Sequence, residues 1–428
     1  MRNILFGVLG CLVAVCAHAA QVANLDYVHK LIQQKWDISI PIKADNPMLA
    51  ANMKYLLTAV DVANEILNGE KTTDYGNGEY ATLHAADTVA TIQAVNTLVQ
   101  KVEKYKFTLT TTPDTSSFSF SISAAGEFVV DWGDGTVETK TKPNTTDTTY
   151  SHNYTTANTY TIGIGGQATA YNTDILSNFT GEKYTLATIS FSSSAGKIAS
   201  IDGSLGAIFG TLTDGTQPGF YQTFSYATNM TSSIPENLFA GITGAPTTGM
   251  FNGTFYGCSG LTSIPAGLFA GISGAPTDSM FSSTFYGCSG LTSIPDGLFA
   301  GISGTPANYM FSFTFGYCGG LTSIPAGLFA GISGAPADSM FSRTFFGCSK
   351  LTSIPENLFG NISGTEKAQM FEGMFWHCTS LTGPSARING QYLYEIWPNW
   401  VPTYHGTYTN CTGLSDYSAI PNLWKNDG

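Results

Sequence analysis

The chain has 428 residues, enough for roughly two to four domains, yet only 11% of them are charged, 13% are aromatic and 47 are glycine. A formal net charge of −12 argues against the basic face that phosphate contact needs, so nucleic acid is not an expected partner. The acidic, sparsely charged, Gly-, Ser- and Thr-rich composition suits a protein working outside the cytoplasm.

Residues 1–20 read as a secretory leader: Arg2, an apolar run from Ile4 to Ala17, then Ala17-His18-Ala19 before the expected cut. The run is too short to span a bilayer, and no later segment is long and apolar enough to do so. Cys11 after Val8-Leu9-Gly10 leaves a lipid anchor open as an alternative, although Leu9 fits that motif poorly. Residues 21–105 are expected to form a helical hairpin. Asn46-Pro47 supplies an N-cap and first-turn proline, Leu49, Met53, Leu56, Val60, Ala63 and Leu67 one apolar face, and Asn68-Gly69 a stop. A second stripe runs through Val89, Ile92, Val95, Val99 and Val102.

From Lys106 the pattern changes to period two. "KFTLTTT", "SFSFSIS", "EFVVDWGDGT" and "TYTIGIGG" alternate apolar and polar residues between turn formers, which predicts a small antiparallel sandwich over 106–184. "FVVDWGDGT", with His152, Tyr154 and Tyr160 after it, is similar to the PKD-type immunoglobulin-like fold. Asp131 and Asp134 are the nearest approach to a metal pair, but so few oxygens favour turn residues over a calcium site. Residues 185–230 read as a first, irregular coil that caps the repeats, with Ile201 in their isoleucine column.

Between 231 and 382 one thirty-residue unit recurs without slippage. Ile264, Ile294, Ile324 and Ile354 form one apolar column, Phe269, Phe299, Phe329 and Phe359 another, and Cys258, Cys288, Cys318, Cys348 and Cys378 a third. Such self-similarity marks a structure in which each unit buries its apolar face against its neighbours. The "LTSIP" segments alternate and end at proline, so each is expected to be a short strand of a parallel sheet. Residues 383–428 read as a terminal cap, with Trp397, Trp400 and Trp424 sized to cover an open end. The cysteines fit either buried free thiols or bridges between adjacent coils, the former being favoured because Ala227 stands near the first equivalent place.

"TFYGCSGLTSIPAGLF" resembles the leucine-rich repeat of BspA-like (Treponema-type) bacterial surface proteins at Phe285, Cys288, Leu291, Ile294 and Pro295. The fold expected for the whole chain is therefore multidomain, α and β: a helical hairpin, a PKD/immunoglobulin-like sandwich, and a leucine-rich-repeat solenoid with parallel β-strands. The resemblance implies adhesion or contact with a host or matrix.

The five histidines after the leader, at 29, 84, 152, 377 and 405, are scattered, and no nucleophile elbow, phosphate loop, zinc motif or dinucleotide fingerprint is present. No catalytic residue, metal or cofactor is expected. Variation between units is more telling. The pair after each Met-Phe changes freely, with Phe313 and Arg343 as its largest members. The pair before each cysteine always keeps one aromatic: Tyr256, Tyr286, Tyr317, Phe346 and Trp376. That row either faces outward as a ribbon for a protein or glycan partner or packs beneath the neighbouring coil. The expected function is a non-enzymatic, exported protein-binding or adhesion scaffold; the alternative is a carbohydrate-binding accessory protein of a glycan-using system.

Overall fold

Alternation dictates the first elements of the described chain. The computed structural model describes residues 105–425, apart from 179–180 and 232; the leader and, save Tyr105, the helical hairpin lie outside the described residues. Phe107–Thr111 (β1) and Thr115–Ile122 (β2) turn Phe107, Leu109, Phe118, Phe120 and Ile122 inward, as half-buried strands must. Ala124–Asp131 (β3), Val137–Lys142 (β4), Thr148–Asn158 (β5) and Thr161–Tyr171 (β6) come next. After them lie the short Ile175–Ser177 (β7), Lys183–Thr185 (β8), Ile189–Ser190 (β9) and Ile198–Gly203 (β10).

One antiparallel sheet has the order β10-β1-β6-β3-β4, a second β5-β2-β9, and β7 pairs with β8 alone. Across the two larger sheets Phe120 meets Trp132 with ring centres 5.6 Å apart, and Phe191 meets Phe107 at 5.6 Å and Phe120 at 5.7 Å. An aromatic core thus lies between them. Strand β10 corrects the sequence reading: Ile198–Gly203 is no irregular coil but the edge of the larger sheet, Phe107 lying opposite Gly203.

The repeats join this body without a break. Phe224 stacks on Phe191 at 5.3 Å and on Phe255 at 5.6 Å, so the described residues share one hydrophobic core rather than forming the separate domains expected.

The solenoid with parallel β-strands is not formed. Its Leu-Thr-Ser-Ile segments at Leu291, Leu321 and Leu351 carry no strand. Backbone contact between them amounts to Thr322 N–H donating to Thr292 at 3.4 Å and Thr352 to Thr322 at 3.2 Å. Parallel pairing in the repeats is confined to isolated bridges such as Gly274 with Ile302 and Gly304 with Ile332.

The contact between coils lies instead in the segment from Ser279 to Cys288 and its equivalents, where the amides alternate in what they bond. Phe281 donates forward to Met310 (2.9 Å), Ser283 to Ser312 (2.8 Å) and Phe285 to Thr314 (2.9 Å); Ser282, Thr284 and Tyr286 donate back within the coil to Ser279, Phe281 and Ser283. Turns are thereby closed and coils joined with every amide of the run used, which a buried backbone requires. Phe255, Phe285, Phe315, Phe345 and Phe375 stack in a file with centres 5.5–5.6 Å apart. Glycine is obligatory where coils touch most closely: a Cβ on Gly301 would lie 2.1 Å from the Ile272 carbonyl oxygen.

The isoleucine column is buried, and so are the six cysteines among the described residues, each a free thiol. Each points at a phenylalanine carbonyl of the coil before, Cys288 Sγ at Phe255 (3.1 Å) and Cys318 Sγ at Phe285 (3.0 Å). Beyond the repeats, Trp397 and Trp400 cover the last coil and donate to the carbonyls of Gly364 (2.8 Å) and Lys367 (3.0 Å). Two short strands, Arg387–Ile388 (β11) and Gln391–Tyr392 (β12), lead into the single helical turn Leu393–Ile396 (α1).

This packing has two measurable consequences. Phe285→Ala should cost about 3–5 kcal/mol in a urea titration, the range for deleting a buried aromatic. Burial pushes the thiols of Cys258, Cys348 and Cys411 up to about 12, so mass-mapped iodoacetamide labelling at pH 8 should leave these three unmodified until denaturant is added.

Candidate functional site

Three positions recur in every coil with left-handed backbone at φ between 53° and 73°. Gly249, Ser279, Tyr309, Ser339 and Gln369 form one column, with φ between 53° and 59°; Gly253, Ser283, Phe313, Arg343 and Gly373 a second, between 54° and 64°; and Gly257, Gly287, Tyr317, Gly347 and His377 a third, between 56° and 73°. A non-glycine residue there costs about 1–2 kcal/mol. The second and third columns are each one half of the pairs that vary from unit to unit. Each variable pair thus joins one left-handed residue to one that is often buried, as Glu372 and Phe346 are.

The first two columns line a groove of about 500 Å³, within the roughly 300–1,000 Å³ of small-molecule sites. Its bed is polar: Ser283, Ser312, Ser339, Ser342 and Gln369; Tyr256, Tyr286, Tyr309 and Phe313 edge it. The β7–β8 hairpin closes one end. Lys183 N–H donates to Ser279 Oγ at 3.0 Å while its ammonium lies 3.5 Å from Asp278. The buried Glu182 accepts from Ser282 Oγ (2.7 Å) and Asn178 Nδ2 (2.8 Å). At the other end the side chain of Glu372, wholly removed from solvent, accepts from Arg343 Nη2 at 2.9 Å and from the backbone N–H groups of Thr403 (2.9 Å) and Tyr404 (3.3 Å). The Arg343 guanidinium lies over Phe313 at 5.3 Å and Tyr404 at 6.0 Å, which orients it as it neutralises the buried carboxylate.

Of the residues expected to form the ligand-binding ribbon, Tyr256, Tyr286, Phe313 and Arg343 come together in this groove, whereas Tyr317, Phe346 and Trp376 continue the aromatic row beyond it. That row is unbroken: Tyr256–Tyr286 4.8 Å, Tyr286–Tyr317 5.4 Å, Tyr317–Phe346 4.5 Å, Phe346–Trp376 4.4 Å and Trp376–His405 3.6 Å. Most rings rest against the next coil's ring. Phe346 is buried, Tyr256, Tyr286 and Trp376 half-buried, and Tyr317 exposed. Both readings of the row therefore hold for different members. Where the aromatic shifts by one place, Gly316 leaves room for Tyr286: a Cβ there would meet its ring at 2.9 Å. Burial pushes the Tyr286 phenol up to about 12 and raises that of Tyr256, so both hydroxyls remain protonated at neutral pH.

Sequence reasoning missed Asn178, Glu182, Tyr309, Ser339, Gln369 and Tyr404, and saw Glu372 only as a member of a variable pair. A signal existed for Tyr309 and Gln369, which interrupt a column otherwise of Gly and Ser; none existed for Glu182 or Tyr404, which arrive from distant segments.

The other polar cluster lies on the sheets. Asp131 accepts from Gly133 N–H and Asp134 from Thr136 N–H, both at 2.9 Å, so each shapes its own turn. His152 on β5 bonds Asp134 at 2.7 Å, stacks on Trp132 at 5.1 Å and packs against Tyr154, whose hydroxyl donates to the Trp132 carbonyl at 2.8 Å. Among the described residues no group of three or more His, Cys, Asp or Glu is placed to hold a metal ion, and no helix is long and apolar enough to cross a membrane.

No family model, curated protein or solved structure matches the chain.

The site makes two predictions. Arg343→Ala strands the buried Glu372 carboxylate and should cost about 3 kcal/mol in thermal unfolding, with Arg343→Lys restoring only part because a point charge replaces a planar fork. Partial burial raises the Asp134 carboxyl, but hydrogen bonds from His152 and Thr136 outweigh this and hold it at about 2, below its ordinary 3.8. Its contribution to stability is therefore complete above pH 4 and lost as pH falls toward 2. Asp134→Asn should flatten the stability curve in that window while lowering stability at pH 6.

Proposed function

We propose that this chain is a non-enzymatic binding scaffold that works outside the cytoplasm and holds a surface partner against its left-handed columns. The observation that carries this reading is the division of labour within each coil. Core columns repeat nearly unchanged, while Tyr309, Phe313, Arg343 and Gln369, which differ from their equivalents in other coils, meet around one groove. A scaffold that varies where it meets its ligand has this form. Non-glycine residues held at positive φ support the same reading, because such strain is tolerated where the side chain has a use. Catalysis receives no comparable support: Glu372 is held by Arg343, and Glu182 by Asn178 and by a Ser282 hydroxyl that is itself fully buried. The leader-like pattern of Arg2 to Ala19 supports export, and the resemblance of the repeat motif to BspA-like surface proteins supports adhesion.

The test is retention of whole bacterial or host cells on a surface coated with the full chain. Retention should fall to background in Ser283→Phe, which fills the groove with a residue that Phe313 shows the same backbone accepts (φ 55°). A Ser283→Phe protein that melts normally and retains cells as well as the parent would remove the reading.

A further inference from the structure

We infer that the groove is a site for a neutral oligosaccharide, an assignment that rests on the scaffold reading and names its ligand class. Three observations select that chemistry. The first is charge: Glu372 is neutralised by Arg343 and two backbone amides, and Glu182 is bonded by Ser282 and Asn178. Among the described residues, the groove therefore holds no uncommitted cation to draw a phosphate or a carboxylate ligand.

The second is the backbone. An extended peptide binds by adding a strand to free N–H and C=O groups, but along this bed Ser283 already donates to Ser312, Phe313 to Ser342 and Arg343 to Glu372. A helical peptide would need a continuous apolar trough, whereas the bed is serine and glutamine.

The third is the pairing of ring and hydroxyl. Tyr309 and Gln369 replace the Gly or Ser found elsewhere in their column, Phe313 and Tyr404 bring rings, and Ser283 and Ser339 lie between them. A sugar ring offers an apolar C–H face and a rim of hydroxyls that donate and accept. It matches aromatic edges beside side-chain hydroxyls and an amide without requiring a charge. Between its two closed ends the groove passes Ser283, Phe313 and Arg343 of three successive coils, so a chain of sugar units can lie across them, each coil contributing its own side chain at the same two left-handed places.

The experiment is calorimetric titration of the full chain with neutral hexasaccharides of gluco-, xylo-, manno- and N-acetylgluco-configuration, set beside an acidic hexagalacturonate. The expected result is saturable binding of at least one neutral hexasaccharide, about tenfold weaker or worse in Tyr309→Ala, the loss of one well-placed aromatic contact, and abolished in Ser283→Phe. Should Tyr309→Ala fail to fold, Ser339→Gln supplies the test, since Gln369 holds the equivalent backbone at φ 54°. Binding of hexagalacturonate alone, binding of no hexasaccharide, or binding that Ser283→Phe leaves intact each overturns the inference. If hexasaccharides fail while cell retention still depends on Ser283, the saccharide falls and the scaffold stands; if neither depends on the groove, both fall.

Discussion

The repeat region depends on the alternating use of its backbone amides. In a helix every amide bonds within its own element, and in a sheet interior every amide bonds a neighbouring strand. Here successive residues do one and then the other, Phe281 reaching Met310 while Ser282 reaches back to Ser279. Coils are thereby drawn close enough for phenylalanine to stack on phenylalanine at 5.5–5.6 Å, and close enough to demand glycine at Gly301. The core columns are a consequence of that spacing as much as its cause.

The same backbone accounts for the groove. Closing a turn every few residues puts recurring positions into left-handed conformation, and at Tyr309, Phe313, Arg343 and Gln369 the side chain held there lines the groove. Glycine would be the least strained occupant everywhere. That Tyr309, Phe313, Arg343 and Gln369 stand there instead means stability is given up at those sites, and the core columns supply the reserve. Each buried phenylalanine is worth about 1.5–3 kcal/mol, enough to carry several strained residues per coil.

The groove's ends are closed by carboxylates rather than apolar side chains. Glu182, from the β7–β8 hairpin, and Glu372, from the last repeat, each fasten an outside segment to the stack. A buried carboxylate with all its partners fixes position sharply, because any displacement leaves charge unpaired. Arg343 serves both purposes, completing the shell around Glu372 while its face covers Phe313 and Tyr404.

Much of this was legible in the amino-acid order. The thirty-residue period and the Ile, Phe and Cys columns come from composition repeated at a fixed interval, since residues recurring without slippage meet the same surroundings in every unit. The variable pairs, and with them Tyr256, Tyr286, Phe313 and Arg343, were visible for the same reason. Which stretch of the unit would carry the hydrogen bonds between coils was not: "LTSIP" has a strand's alternation, yet the Met-Phe segment pairs instead. Nor could periodicity foresee that Ile198–Gly203 would become a sheet edge, or that Glu182 and Tyr404 would meet over the same serines. Local pattern determines what a residue buries; only the folded chain decides which distant segment lies across it, because that choice rests on hydrogen bonds and charges satisfied between positions that no period connects.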